Sequence, residues 1–165
     1  TKNKTRSIFL LSTATKNKFS IIIMFCFGFS LLRMPTEKVC VDVKNHHMCL
    51  RVLRDKVDQT RGFQLVENLH PNEGLLYILQ EPKKPDFWMK DVFQHLDIVF
   101  IDTHGHILEM VQAHPHRTDP IVTPKDTIYA IELLGGRAQQ LKLMKGSKLP
   151  PEIISELKGA LFAGD

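Results

Sequence analysis

The sequence predicts a mainly β domain, sandwich-like or barrel-like, with two or three short helices and an N-terminal apolar helix. Several short stretches alternate apolar and polar residues, and Gly, Pro or Asn residues separate them. Helical spacing of apolar residues is clear only near the C-terminus, and one unbroken apolar stretch lies near the N-terminus. Many short strands with few helices are typical of sandwiches and barrels.

Residues 1–33 have the pattern of a targeting segment. The apolar stretch is FSIIIMFCFGFSLL at 19–32, and Lys16 and Lys18 stand just before it. Basic residues followed by a short apolar stretch are typical of a signal peptide. The alternative is an uncleaved membrane anchor, although fourteen helical residues span about 21 Å and a bilayer core is ~30 Å thick. A cleaved signal peptide predicts a periplasmic or cell-envelope protein. An uncleaved anchor predicts a protein attached to the membrane through residues 19–32, with its domain outside the cytoplasm.

The net charge of +4 belongs to this leader and not to the rest of the chain. Residues 1–33 hold six of the 22 basic residues and no acidic residue. The remainder therefore carries sixteen basic residues against eighteen acidic ones, a net charge of −2. A slightly acidic domain lacks the electrostatic footprint of a nucleic-acid-binding protein, so we expect no nucleic-acid partner.

The first strands form a predicted hairpin over residues 39–53. Residues 39–43 and 46–53 alternate apolar and polar side chains around a two-residue turn at Lys44 and Asn45. This register places Cys40 opposite Cys49, on the face away from the core. An exported protein can form disulfides, so the pattern predicts either a Cys40–Cys49 bridge or two free thiols.

The later elements follow from turns, caps and periodicity. Asp55 is a candidate N-cap for a short helix that Gly62 ends. Strands are predicted at 75–79, 87–90, 95–103, 106–112 and 127–134, a short helix at 136–144, and an amphipathic helix at 150–162. The His104-Gly105 turn pairs Asp97 with Gln112. The spacing of Ile153, Leu157 and Leu161 indicates that the last helix packs on the domain, and the alternative is that it binds a partner.

Several motifs together resemble the domain of unknown function 192 family. They are Arg61-Gly62-Phe63, Phe87-Trp88-Met89-Lys90-Asp91, His95-Leu96-Asp97 with the strand that follows, and Tyr129-Ala-Ile-Glu132-Leu133. The resemblance covers residues 39–149, between the leader at 1–33 and a C-terminal helix or tail at 150–165. It implies a compact sandwich-like or barrel-like domain behind a signal or anchor, and no established activity. The chain departs from the family pattern at Asp91, usually Asn, and at His95, usually Pro.

The densest polar and aromatic group is Trp88, Lys90, Asp91 and Asp97. An aromatic surface, a cation and carboxylates together can bind a small polar ligand. The alternative is structural, with Trp88 in the core and a Lys–Asp pair fixing the strand.

Histidines form a second candidate group. The predicted strand register brings His95, Asp97 and His114 to one face, with His116 just beyond. Imidazoles and a carboxylate are suitable ligands for Zn²⁺ or Cu²⁺. The alternative is a solvated rim of unrelated histidines, and neither HExxH nor CxxC is present.

No other sequence motif indicates an enzyme or a cofactor site. The chain contains no GxSxG, GxGxxG or P-loop pattern. The sequence therefore favours a non-enzymatic ligand-binding or accessory role with a small molecule or an envelope protein as partner. The alternatives are a metal-binding envelope protein and a small hydrolase or lyase with Asp91 and Asp97 as its paired carboxylates.

Overall fold

The computed structural model describes residues 37–43, 45–79 and 87–162. The predicted leader lies outside these residues. The described elements in chain order are β1 (Lys38–Val43), β2 (His46–Leu53), α1 (Lys56–Arg61), β3 (Glu73–Ile78), β4 (Leu96–Ile101), β5 (Ile107–Ala113), β6 (Tyr129–Leu134), α2 (Arg137–Gln140) and α3 (Pro151–Phe162). None of the described helices combines the length and apolarity needed to cross a membrane.

The six strands form one mixed sheet in the order β1-β2-β3-β6-β4-β5. β2 and β3 are parallel, and the other neighbours are antiparallel. A parallel pair needs a crossover connection, and the segment containing α1 provides it. The mainly β prediction is confirmed, whereas the sandwich or barrel is replaced by a single six-stranded sheet among the described residues.

The β1–β2 hairpin has the predicted register. Cys40 lies opposite Cys49 and Val43 opposite His46. Asn45 has a φ of 68°, a left-handed conformation that asparagine tolerates in tight turns. The hairpin thus has an apolar face toward the core and a polar face that carries both cysteines.

Both faces of the sheet are covered, which explains why its central strands are mostly apolar, with Asp97 and Glu132 as their buried charged residues. On the first face, β-strand side chains pack against α2 and α3, and the buried helix residues include Ile153 and Leu157. On the second face, the segments after α1 and before β4 cover the sheet with Phe63, Phe87 and Met89. Strands that are buried on two sides lose the apolar–polar alternation of a half-exposed sheet.

Two predicted elements differ from the structure. Residues 87–90 are not a strand, because only an isolated bridge joins Phe87 to Ile121. The predicted helix at 136–144 is only the four residues of α2, since Lys142 takes a φ of 57° that breaks the helix. The predicted α1 is confirmed, with the Asp55 side chain accepting from the Asp58 N–H at 2.9 Å.

Candidate functional site

The four residues of the predicted ligand surface do not form one site. Trp88, Lys90 and Asp91 are exposed residues of the segment before β4, and Trp88 is 42% exposed. Asp97 is buried on the first face of the sheet, where its Oδ2 accepts from the Ala138 N–H at 2.9 Å. The Asp97 carboxylate, on the sheet, therefore accepts a hydrogen bond from a backbone N–H of α2. It lies across the sheet from Asp91, so these two carboxylates do not form an acid–base pair.

The predicted histidine set also does not assemble around an ion. His95 and His114 are exposed neighbours, with ring centroids 5.0 Å apart. His116 turns away and packs on Phe93 at 5.3 Å. Asp97 pairs with Gln112 as predicted, but its carboxylate is buried under α2. Among the described residues, no three of these four side chains bring their ligand atoms close enough to hold an ion together.

The predicted Cys40–Cys49 disulfide is present, with Cα atoms 4.1 Å apart. Next to it, the His47 Nε2 lies 3.4 Å from the Cys49 Sγ, and the His47 Nδ1 lies 2.8 Å from the Asp42 Oδ1. Cys40, His47 and Cys49 are the one group of three metal-ligand side chains in the described part of the chain. Because both sulfurs are bonded to each other, this group is not a metal site in the oxidised protein.

A buried acid lies in the centre of the sheet on its second face. Glu132 is 4% exposed, and its Oε2 accepts from the Tyr77 hydroxyl at 2.9 Å. Burial raises the pKa of Glu132 to about 7, because its charged form loses hydration and the Tyr77 hydrogen bond offsets only part of that loss. Burial and the Glu132 charge raise the pKa of Tyr77 well above its ordinary value. Glu132 is therefore the member of the pair that ionises near neutral pH, whereas the raised pKa of Tyr77 keeps its hydroxyl protonated there.

Gly62, where the chain turns after α1, lies against the Tyr77–Glu132 pair. Its φ is 48°, and a Cβ at this position would lie 2.5 Å from the Tyr77 hydroxyl and 3.6 Å from the Glu132 Oε2. Only glycine takes this backbone conformation without strain. The Arg61-Gly62 turn is consequently held directly against the Tyr77–Glu132 pair.

A shallow surface groove, with about 30 Å³ open to the centres of water-sized molecules, lies beside this turn. We call it the Arg61 groove. Its lining residues are Arg51, Leu53, Asp58, Arg61, Gly62, Val66 and Leu75. The lining thus combines two guanidinium groups and one carboxylate over an apolar floor. Leu75 in that floor is the β3 partner of Glu132, so the buried acid is next to the groove.

Glu132 and Arg137 are buried polar residues that the sequence patterns did not mark as site residues. Glu132 is the only charged residue within an otherwise apolar strand, and that contrast was the available signal. Arg137 is 7% exposed and donates to Gln140 Oε1 at 2.8 Å and Asn72 Oδ1 at 2.9 Å. Asn72 is far from Arg137 in the sequence, so only the fold brings the two together.

Comparisons with known proteins agree with this fold and assign no activity. The model of the DUF192 family, described as an uncharacterized ACR, matches residues 39–150. A crystal structure of a protein of unknown function from Novosphingobium aromaticivorans DSM 12444 is similar, with a TM-score of 0.58, 24% identity, and coverage of 67% of this chain and 81% of that chain. A second similar structure, described as a candidate transcription regulator from Sinorhizobium meliloti 1021, has a TM-score of 0.60, 24% identity, and coverage of 68% and 91%. No curated protein matches the chain.

Proposed function

Because the chain belongs to the DUF192 family, which supplies a fold and no activity, we propose that it is a non-enzymatic ligand-binding domain that holds a small anionic molecule in the Arg61 groove. The observation that carries this proposal is the buried Glu132 carboxyl next to the groove. A buried acid is costly to a fold unless it is neutral or well paired. Glu132 accepts a hydrogen bond from Tyr77 and has a pKa of about 7. We interpret the free-energy cost of burying Glu132 as a sign that this residue belongs to a ligand-binding site.

The ligand class follows from the groove lining. Arg61 presents a guanidinium group, which binds carboxylate and phosphate oxygens in a planar, two-point geometry. The apolar floor of Leu53 and Leu75 accommodates a short carbon skeleton. We therefore favour a small carboxylate or phosphate ester over an envelope protein as the partner. Nucleic acid is disfavoured because residues 34–165 carry a net charge of −2.

The proposed location is the periplasm or cell envelope, either free or anchored through residues 19–32. Two observations support it: the Lys-flanked apolar stretch of the leader and the Cys40–Cys49 disulfide, a bond typical of oxidising compartments. The test is a fusion of residues 1–36 to alkaline phosphatase, which is active only after export. An inactive fusion would contradict the proposed location and leave the ligand proposal untouched.

The binding test compares Arg61→Gln with wild type. Isothermal titration calorimetry with citrate and with inorganic phosphate at low salt measures the dissociation constants. Loss of a charge-assisted hydrogen bond costs about 1.5–3 kcal/mol, so we expect Arg61→Gln to weaken binding at least ~10-fold.

The matched control is Arg117→Gln. Arg117 is exposed and pairs with Asp119 outside the groove. We expect this variant to bind like wild type. The proposal fails if neither anion binds at millimolar concentration, or if both variants weaken binding equally, because the second result would indicate nonspecific charge attraction.

A further inference from the structure

We propose that the β1–β2 hairpin is a thiol–disulfide exchange site. Its substrate is a thiolate, Cys40 is the sulfur that is attacked, and Cys49 is the sulfur that leaves. His47 stabilises the departing Cys49 sulfur, and Asp42 positions His47. This inference rests on the hairpin alone and is independent of the Arg61 groove.

The strand register builds this site from two cross-strand pairs. Cys40 lies opposite Cys49, and Asp42 lies opposite His47. Side chains two residues apart on a strand point to the same face. All four side chains therefore share the outward face of the hairpin as a square, and contacts join Cys40 to Cys49, Cys49 to His47, and His47 to Asp42.

The contacts within the square connect the carboxylate to the sulfur. The Asp42 Oδ1 lies 2.8 Å from the His47 Nδ1, and the His47 Nε2 lies 3.4 Å from the Cys49 Sγ. A carboxylate on Nδ1 fixes the ring so that Nε2 faces the sulfur. A protonated imidazole in contact with a sulfur favours its thiolate form. A disulfide that served only to lock the hairpin would need neither contact.

Accessibility distinguishes the two sulfurs. Cys40 is exposed and lies on β1, the edge strand of the sheet, whereas Cys49 is half-buried between β1 and β3. An incoming thiolate therefore reaches the Cys40 sulfur more easily. Attack there makes Cys49 the leaving group, and Cys49 is the sulfur that His47 contacts.

The chemical step balances as an exchange with a thiol-bearing substrate. The substrate thiolate forms a bond to the Cys40 Sγ, the Cys40–Cys49 bond breaks, and its electron pair goes to the Cys49 Sγ. The Cys49 thiolate then takes a proton from solvent or, when the His47 ring is protonated, from its Nε2. A second substrate thiolate then attacks the mixed disulfide at the substrate sulfur. This attack releases the Cys40 thiolate, so one substrate disulfide forms as the protein disulfide is reduced.

The charges around the square are mixed, so the effect of His47 is a local one. Lys38 and Arg51 continue the two rows of side chains beyond Cys40 and Cys49, and Glu73 is the β3 neighbour of Cys49. The face therefore carries both acidic and basic groups near the disulfide. The imidazole of His47 acts on the Cys49 sulfur through direct contact.

The first experiment measures reduction of the oxidised full chain by reduced glutathione, with acid quenching and mass spectrometry. We expect His47→Gln to slow the reaction about three- to tenfold, because rates depend on how well the leaving sulfur carries negative charge. Asp42→Asn should slow it less. His104→Gln, which changes an exposed histidine in the β4–β5 turn, should react like wild type. Equal rates for His47→Gln and His104→Gln would overturn the proposal.

The second experiment locates the attacked sulfur, which a purely structural role for His47 would not determine. Iodoacetamide is added during the reaction to trap the free thiol before the ring recloses. We expect glutathione on Cys40 and the alkyl group on Cys49, and His47→Gln should bring the two positions closer to equal use. An even distribution in the wild type would also overturn the proposal.

A further arm replaces glutathione with a short peptide that contains one cysteine. A faster reaction with the peptide identifies a protein thiol as the natural substrate source, and a faster reaction with glutathione identifies a small thiol. If the His47→Gln effect is absent with both probes, the hairpin disulfide is structural.

Discussion

Replacing Glu132 with glutamine should make the domain more stable at alkaline pH and leave its stability at acidic pH nearly unchanged. The glutamine side chain keeps the shape of the glutamate and an oxygen that can accept from the Tyr77 hydroxyl, but it cannot ionise. The wild-type carboxyl has a pKa of about 7 in the folded protein, against an ordinary value of 4.5. The variant therefore isolates the free energy of ionising one buried group.

The sign follows from proton binding. Between pH 4.5 and 7 the folded protein holds the Glu132 proton while the unfolded chain has released it. Stability must then fall as pH rises through this window, and the contribution levels off above pH 7. The difference of about 2.5 between the folded and unfolded pKa values corresponds to about 3 kcal/mol. We expect Glu132→Gln to exceed wild type by about 3 kcal/mol at pH 8.5 and by less than about 1 kcal/mol at pH 4.5.

The assay is urea denaturation followed by circular dichroism at half-unit pH steps. The quantity to plot is the difference in unfolding free energy between variant and wild type, because contributions from the histidines cancel in that difference. Glu156→Gln, at an exposed position of α3, is the control and should give a nearly flat difference. A flat difference for Glu132→Gln as well would refute the argument, since Glu132 would then ionise equally in the folded and unfolded states.

Three other substitutions test the surrounding structure by the same denaturation assay. Gly62→Ala should cost about 2–3 kcal/mol, because the new Cβ would lie 2.5 Å from the Tyr77 hydroxyl at a φ of 48°; wild-type stability would show that the turn is not held there. Asp97→Ala should lower the free energy of unfolding by about 1–3 kcal/mol, because it leaves a buried N–H without its acceptor. Unchanged citrate binding by this variant would show that Asp97 does not contribute to the Arg61 groove. Replacing both Cys40 and Cys49 with Ser should cost up to about 3 kcal/mol for a loop of nine residues' separation, and a larger loss would indicate that the hairpin unfolds.

The local pairings were predictable from the sequence because they depend on period-two alternation around a short turn. That rule placed Cys40 opposite Cys49 and Asp97 opposite Gln112, and both pairings are present. The same rule wrongly predicted a strand at 87–90, where buried and exposed residues also alternate. There the chain passes over the second face, and Phe87 and Met89 are buried without a neighbouring strand.

The sites were less predictable because they depend on contacts between distant parts of the chain. Alternation assigned Asp97 to one face of the sheet. It did not predict that α2 would cover this residue and supply an N–H donor 41 residues away. No local pattern indicates that β6 lies between β3 and β4. That placement alone brings Glu132 against Tyr77, 55 residues away, and so creates the buried acid next to the groove.

The groove and the hairpin disulfide share a strand but have separate supports. Cys49 and Arg51 are neighbours in the same outward row of β2. The position of Arg51 is fixed by its pairing with Leu75 of β3, on the side of β2 away from β1. The other side of the groove is held by Gly62, which lies against the Tyr77 hydroxyl. Reducing the disulfide releases a constraint between β1 and β2 only, so Arg51 stays in register with the centre of the sheet. Anion affinity should therefore be the same in the oxidised and the reduced protein, and thiol exchange at the hairpin should continue when the groove is occupied.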